Sequence, residues 1–139
     1  MVEYLFWIIE RLLYYASVLL HLTYNEINII VYYGLIPLSW CYMLDRIIGW
    51  QVDFADVFRF MPWLTIGWIV LWAVLVIALN SDFTIWCDWA FDRSVDFLNY
   101  FNRWGGNYIL NSVIICVLIP IIIYGVLGFL LHFQIQSSK

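Results

Sequence analysis

Charge is what this sequence has least of. Only 12% of its 139 residues are Asp, Glu, Lys or Arg, and 65% are hydrophobic. Soluble domains average roughly 25% charged residues, so a water-soluble fold of this size would lack the polar groups to cover its surface. The solvent that fits is lipid. Cysteine is also scarce. Cys41, Cys87 and Cys116 form no CxxC pair and show no metal-ligand spacing, which argues against a disulfide framework or a zinc site. Cys41 and Cys116 sit in apolar segments and read as small packing residues. Basic residues are few and scattered. The net charge is 6 − 10 = −4, and no basic patch supports nucleic-acid binding.

Familiar motifs are missing as well. No serine stands in GxSxG, no Gly-rich loop suits a phosphate, and Gly125 and Gly128 are too close for the GxxxG helix-dimer motif. Ser17 and His21 share a helical face four residues apart, but with no third group they make a weak dyad. No basic region precedes the first apolar stretch, which carries Glu3, Glu10 and Arg11. That segment is therefore expected to be retained rather than cleaved as a signal peptide. No internal repeat is visible, and the halves do not align as the inverted copies common in transporters.

What is present is long apolar runs. Membrane β-strands alternate apolar and polar residues, whereas the run from Trp63 to Leu79 is unbroken. In lipid such a run becomes a helix, because its backbone polar groups must pair internally. A hydrocarbon core about 30 Å thick needs about 20 helical residues. The clearest crossing is 60–80, inside the 22 uncharged residues between Arg59 and Asp82, with Pro62 suited to a first helical turn. A second, 108–131, follows the Gly105-Gly106 break, and Pro120 predicts a kink in it. A third, 27–44, holds Gly34 and Pro37, which should bend it. The fourth, 3–23, is long enough but carries Glu10 and Arg11 near its middle.

Two amphipathic stretches lie between these runs. Over 50–59, Asp53, Asp56 and Arg59 recur every third position, as in a helix lying in the membrane interface. Over 82–104, Asp88, Asp92, Asp96, Asn99 and Arg103 fall on one helical stripe. Ser81 or Asp82 can cap that helix, and the two glycines can end it. Aromatic residues make up 21% of the chain, and many fall near predicted span ends, where Trp and Tyr favour the headgroup layer. The sequence therefore predicts an all-α, single-domain, multi-pass membrane protein over residues 1–139. It would have four transmembrane helices and two interfacial amphipathic helices. Arg46, Arg59 and Lys139 against Arg93 and Arg103 would put both termini in the cytoplasm, at the cell membrane.

Few polar residues could carry a function. A charge at mid-bilayer costs at least about 2.5 kcal/mol on insertion scales. Glu10 and Arg11 point about 100° apart on their helix, so each needs a partner elsewhere or must snorkel to water. The stripe of Asp88, Asp92 and Asp96 could line a cation vestibule, meet a basic partner, or simply face water. Arg103 extends it. His21 and His132 are expected at opposite sides of the bilayer, which disfavours a shared haem. No cofactor is expected. The sequence is read first as a small non-enzymatic subunit or accessory protein of a membrane complex. Its partners would be the lipid bilayer and other membrane subunits or copies of itself. A homo-oligomeric cation channel or membrane-acting effector comes second. An intramembrane enzyme or lipid-handling protein comes third, and would require a polar cavity bringing Glu10 near His21 or Asn111.

Overall fold

A computed structural model describes residues 2–51 and 62–137. Over those residues the chain is all helical, in five rods. These are α1 (Val2–Leu20), α2 (24–51), α3 (Trp63–Leu79), α4 (Phe83–Tyr100) and α5 (108–137). Within α2 and α5, Tyr24–Ile48 and Tyr108–Phe133 are long and apolar enough to cross a bilayer. They contain the crossings expected over 27–44 and 108–131. The run 60–80 supplies α3, which is 17 residues long and bends through 116° into α4. This bent pair amounts to at most one further crossing. The segment 3–23 does form a helix, α1, of 19 residues, but with Glu3, Glu10 and Arg11 in it the helix is not apolar enough for a crossing. Four crossings were expected; two helices are long and apolar enough, or three if the bent pair is one span. The helix expected over 50–59 lies outside the described residues beyond position 51, while the one expected over 82–104 is α4 with its 3-10 extension Phe101–Trp104.

Each rod starts and stops for a local reason. Thr23 accepts the Glu26 N–H, and the Glu26 carboxylate accepts the Thr23 N–H at 2.7 Å. This capping box satisfies two otherwise orphaned donors at the start of α2. Asn107 caps α5 by accepting the Leu110 N–H at 2.8 Å. Gly105, at φ +88°, ends the helix before it in the left-handed conformation that glycine adopts without cost. Asp82 stands at the N-cap of α4 but makes no side-chain bond to it. Pro62, at the N-cap of α3, makes none either. The donors of α3 are met from α2: Asp45 accepts Leu64 N–H at 3.0 Å and Thr65 N–H and hydroxyl at 2.7 Å each.

The expected bends take a specific form. A wider π-turn precedes each proline: Ile30–Leu35 before Pro37 and Ile114–Leu118 before Pro120. In both, the next N–H reaches back five residues, Ile36 to Val31 O and Ile119 to Ile114 O. A proline lacks an N–H and crowds the preceding turn, so the helix widens around it and leaves carbonyls unsatisfied. In α2 two carbonyls of this turn are met from α3: Trp72 donates its indole N–H to Tyr33 O, and Trp68 donates to Gly34 O, both at 3.1 Å. Gly34 permits the approach, because a Cβ there would lie 3.3 Å from the Trp72 ring.

The two long helices belong to a duplicated unit that no repeat in the sequence announces. Each unit is a helix, a tight turn and a long proline-broken helix: α1–α2 and α4–α5. Both turns place a residue at positive φ (His21 and Gly105) two positions before the N-cap. Both caps are followed by a tyrosine whose carbonyl accepts from a side chain four residues on, Asn28 to Tyr24 and Ser112 to Tyr108. The units also meet in matching ways. Phe6 of α1 packs edge-on against Tyr108 at 6.2 Å, and Phe91 of α4 packs edge-on against Tyr24 at 6.0 Å. These pairings define a pseudo-two-fold axis between α2 and α5.

That axis runs along the long helices, which therefore point the same way. Ser39 bonds to the Tyr124 hydroxyl, and Trp40 packs on the same ring. Both contacts lie within one residue of the same distance from the start of each helix. The short helices cross the N-terminal ends of the long ones. Thr84 and Asp88 of α4 bond the first turn of α2, at Glu26 and Asn25. Further along, Leu98 O and Asn102 accept from Asn111 in the first turn of α5. Gly106 packs against that Asn111 amide so closely that a Cβ would collide with it.

Candidate functional site

Because α2 and α5 touch at Ser39, Trp40 and Tyr124 but diverge toward their N-termini, they leave a space between them. Helices α1 and α4 wall it on either side. The result is a cavity of about 260 Å³ on the pseudo-two-fold axis. Its lining repeats the symmetry of the fold. Phe6, Ile9, Glu10 and Leu13 of α1 correspond to Phe91, Ser94, Val95 and Leu98 of α4. Tyr24, Asn28 and Ile29 of α2 correspond to Tyr108, Ser112 and Val113 of α5. Tyr33 and Phe97, both exposed, also border it. Trp40 and Pro120 lie deepest along the two long helices.

The small polar side chains of the lining are committed. Ser94 donates to Ala90 O at 2.8 Å, Ser112 to Tyr108 O at 2.7 Å and Asn28 to Tyr24 O at 2.7 Å. These are back-bonds along the helices. Two groups differ. Glu10 Oε2 and Trp40 Nε1 are enclosed and have no hydrogen-bond partner among the described residues. Buried polar atoms are nearly always paired, and an isolated carboxylate in low-dielectric surroundings is expensive. Glu10 is also the charged member of a pseudo-symmetric pair whose other member is Val95. Among the described residues, no Lys, Arg or His lines the cavity.

The other expected site residues are elsewhere. Arg11 is exposed on the next face of α1. Asp92 and Asp96 are exposed on α4, where Asp96 pairs loosely with Arg93 at 3.9 Å. Such exposed pairs contribute little. Asp88 accepts from Asn25 at 2.8 Å, tying α4 to α2. Arg103 lies over the Tyr100 ring at 5.3 Å. None of the stripe lines the cavity, so the structure does not bring Glu10 and the aspartates together. His21 ends α1 beside the start of α2, whereas His132 lies 24 residues into α5, about 36 Å along at 1.5 Å per residue. They share no site. Neither His21 nor Asn111 lines the cavity, and the Asn111 amide is occupied by Leu98 O and Asn102. No group of His, Cys, Asp or Glu among the described residues could hold a metal ion.

Sequence reasoning passed over Glu26 and Trp40. Glu26, one residue before the expected span 27–44, is buried and bonded to Thr23 and Thr84 at 2.7 and 2.6 Å. Its Thr-x-x-Glu spacing was the available signal. Trp40 gave none, since only the packing of α5 encloses its N–H. No family model, curated protein or solved structure matches the chain.

Proposed function

We propose that this is a small non-enzymatic integral membrane protein that holds a small molecule in the cavity between its two repeated units. The observation that carries this is the pair of unpartnered, covered polar atoms, Glu10 Oε2 and Trp40 Nε1, on two residues that line a largely aromatic and aliphatic space. Binding sites have this composition: apolar walls with a few polar groups that fix orientation. The commitment of Ser94, Ser112 and Asn28 to backbone carbonyls supports binding over catalysis.

In this reading α2, α3 and α5 cross the membrane and α1 and α4 lie along one boundary. Three passes put the termini on opposite sides, unlike the four expected from sequence. The six Lys and Arg residues then divide three and three (Arg11, Arg93 and Arg103 against Arg46, Arg59 and Lys139). Charge therefore selects no orientation. Cysteines introduced at 3, 96 and 136 of a cysteine-free variant test this. Positions 3 and 96 should label from one side and 136 from the other; labelling of 3 and 136 from the same side would refute three passes.

The cavity is tested with Cys116, which lines it. With Cys41 and Cys87 replaced, a small thiol reagent should modify Cys116 in the native protein. Leu13→Trp, which fills the space, should slow the reaction at least about tenfold, as displacement of a ligand-sized void requires. Unreactive Cys116, or a rate indifferent to Leu13→Trp, would remove the reading. A second reading, a subunit of a membrane complex, rests on Arg11, which is exposed on α1 with no ion-pair partner among the described residues. Co-purification that is lost on Arg11→Gln would favour it.

A further inference from the structure

The geometry points to a ligand class for this cavity: a small organic cation bearing apolar substituents, such as a tertiary or quaternary ammonium. The inference rests on the cavity being a binding site, as proposed above, and adds what occupies it. Among the described residues, the single charged side chain of the lining is the Glu10 carboxylate, and one of its oxygens is covered and without a donor. Among the described residues the lining supplies no cation to answer it, which leaves that role to the occupant. A neutral or anionic molecule would leave the carboxylate unanswered.

The walls select among cations. Phe6, Tyr24, Tyr108 and Phe91 surround the axis as two pseudo-symmetric ring pairs, and Trp40 adds an indole. Aromatic faces attract ammonium groups, the more so away from water. A metal ion is a poor fit. Ca²⁺ wants six or more oxygens and Mg²⁺ near-octahedral geometry, whereas this lining offers one carboxylate, neutral tyrosine hydroxyls and short side chains already bonded to carbonyls. Glu10 has no acidic counterpart, since Val95 holds the equivalent place. One monovalent charge is therefore matched.

The test uses the full-length chain in lipid nanodiscs, with Cys116 as its only cysteine, and reads protection of Cys116 from the thiol reagent. The probes are benzyltrimethylammonium and its neutral carbon isostere, neopentylbenzene. The cation should protect saturably and the isostere much more weakly. Glu10→Gln should weaken protection by the cation roughly ten- to hundredfold, the range for losing a charged partner. Glu3→Gln, on an exposed part of α1, should leave it unchanged. Moving the carboxylate across the axis, in the double variant Glu10→Gln with Val95→Glu, should restore protection to within about tenfold of the native value. It also shows that a variant altered at Glu10 still folds. Unchanged affinity in Glu10→Gln, equal protection by the isostere, or no rescue by the swapped carboxylate would each overturn the cation assignment while the cavity stands. Absence of protection by either probe at a reactive Cys116 would overturn it too. A Cys116 that never reacts would fail the cavity itself.

Discussion

Asp45 offers the sharpest test of how the fold is held. Helix α3 begins after Pro62 with no side-chain cap of its own. Its first free donors are met from another helix, with Leu64 N–H on Oδ1 and both donors of Thr65 on Oδ2 of Asp45. Losing an N-cap costs about 1 kcal/mol and up to about 2. The negative charge at a helix N-terminus adds roughly 0.5 kcal/mol. Asp45→Ala should therefore destabilise by about 2 kcal/mol. Asp45→Asn keeps one acceptor oxygen and must give up either the Leu64 bond or the Thr65 pair, so about half that loss is expected. Thr65→Val removes only the hydroxyl bond and should cost about 1 kcal/mol. In a double-mutant cycle the two changes should couple by at least about 0.5 kcal/mol, because they share one oxygen. Reversible unfolding by SDS titration in mixed micelles, followed by helical circular dichroism, measures each value. A loss below about 0.5 kcal/mol for Asp45→Ala, or strict additivity with Thr65→Val, would refute the cap.

Two further pairs of substitutions probe the joins between the repeated units and α3. Glu26→Ala removes the capping box and the bond from Thr84, and should destabilise by about 2–3 kcal/mol in the same titration, against about 1 for Thr84→Val. Equal effects of the two would place the strength of the site in the Thr84 bond alone. Trp72→Phe should cost about 1 kcal/mol by orphaning Tyr33 O, and less in a Pro37→Ala background, where a backbone N–H returns to compete for the freed carbonyls. An unchanged cost there would show that the proline is not what exposes them.

The helices were legible, and the duplication was not. An unbroken run such as Trp63 to Leu79 leaves the backbone one way to satisfy itself in lipid, and Gly105 is where the left-handed turn falls. The two units escape notice because no single offset aligns them. Phe91 follows Phe6 by 85 positions, Tyr108 follows Tyr24 by 84, and Pro120 follows Pro37 by 83. The last step arises at the π-turns, six residues long in α2 and five in α5. A one-residue slip turns a helical pattern by 100° and erases the match by eye, while packing absorbs it in a widened turn.

Composition and local chemistry determined where helices form, how α2 and α5 are capped and where prolines disturb them, because those terms act over a few neighbouring residues. Tertiary structure alone decided that α2 and α5 run the same way, that α1 and α4 lie across their ends, and that Glu10 faces an enclosed space while the aspartates of α4 face outward. Which way a charged side chain looks depends on what stands opposite it. For Glu10 those neighbours come from helices up to 110 residues further along the chain.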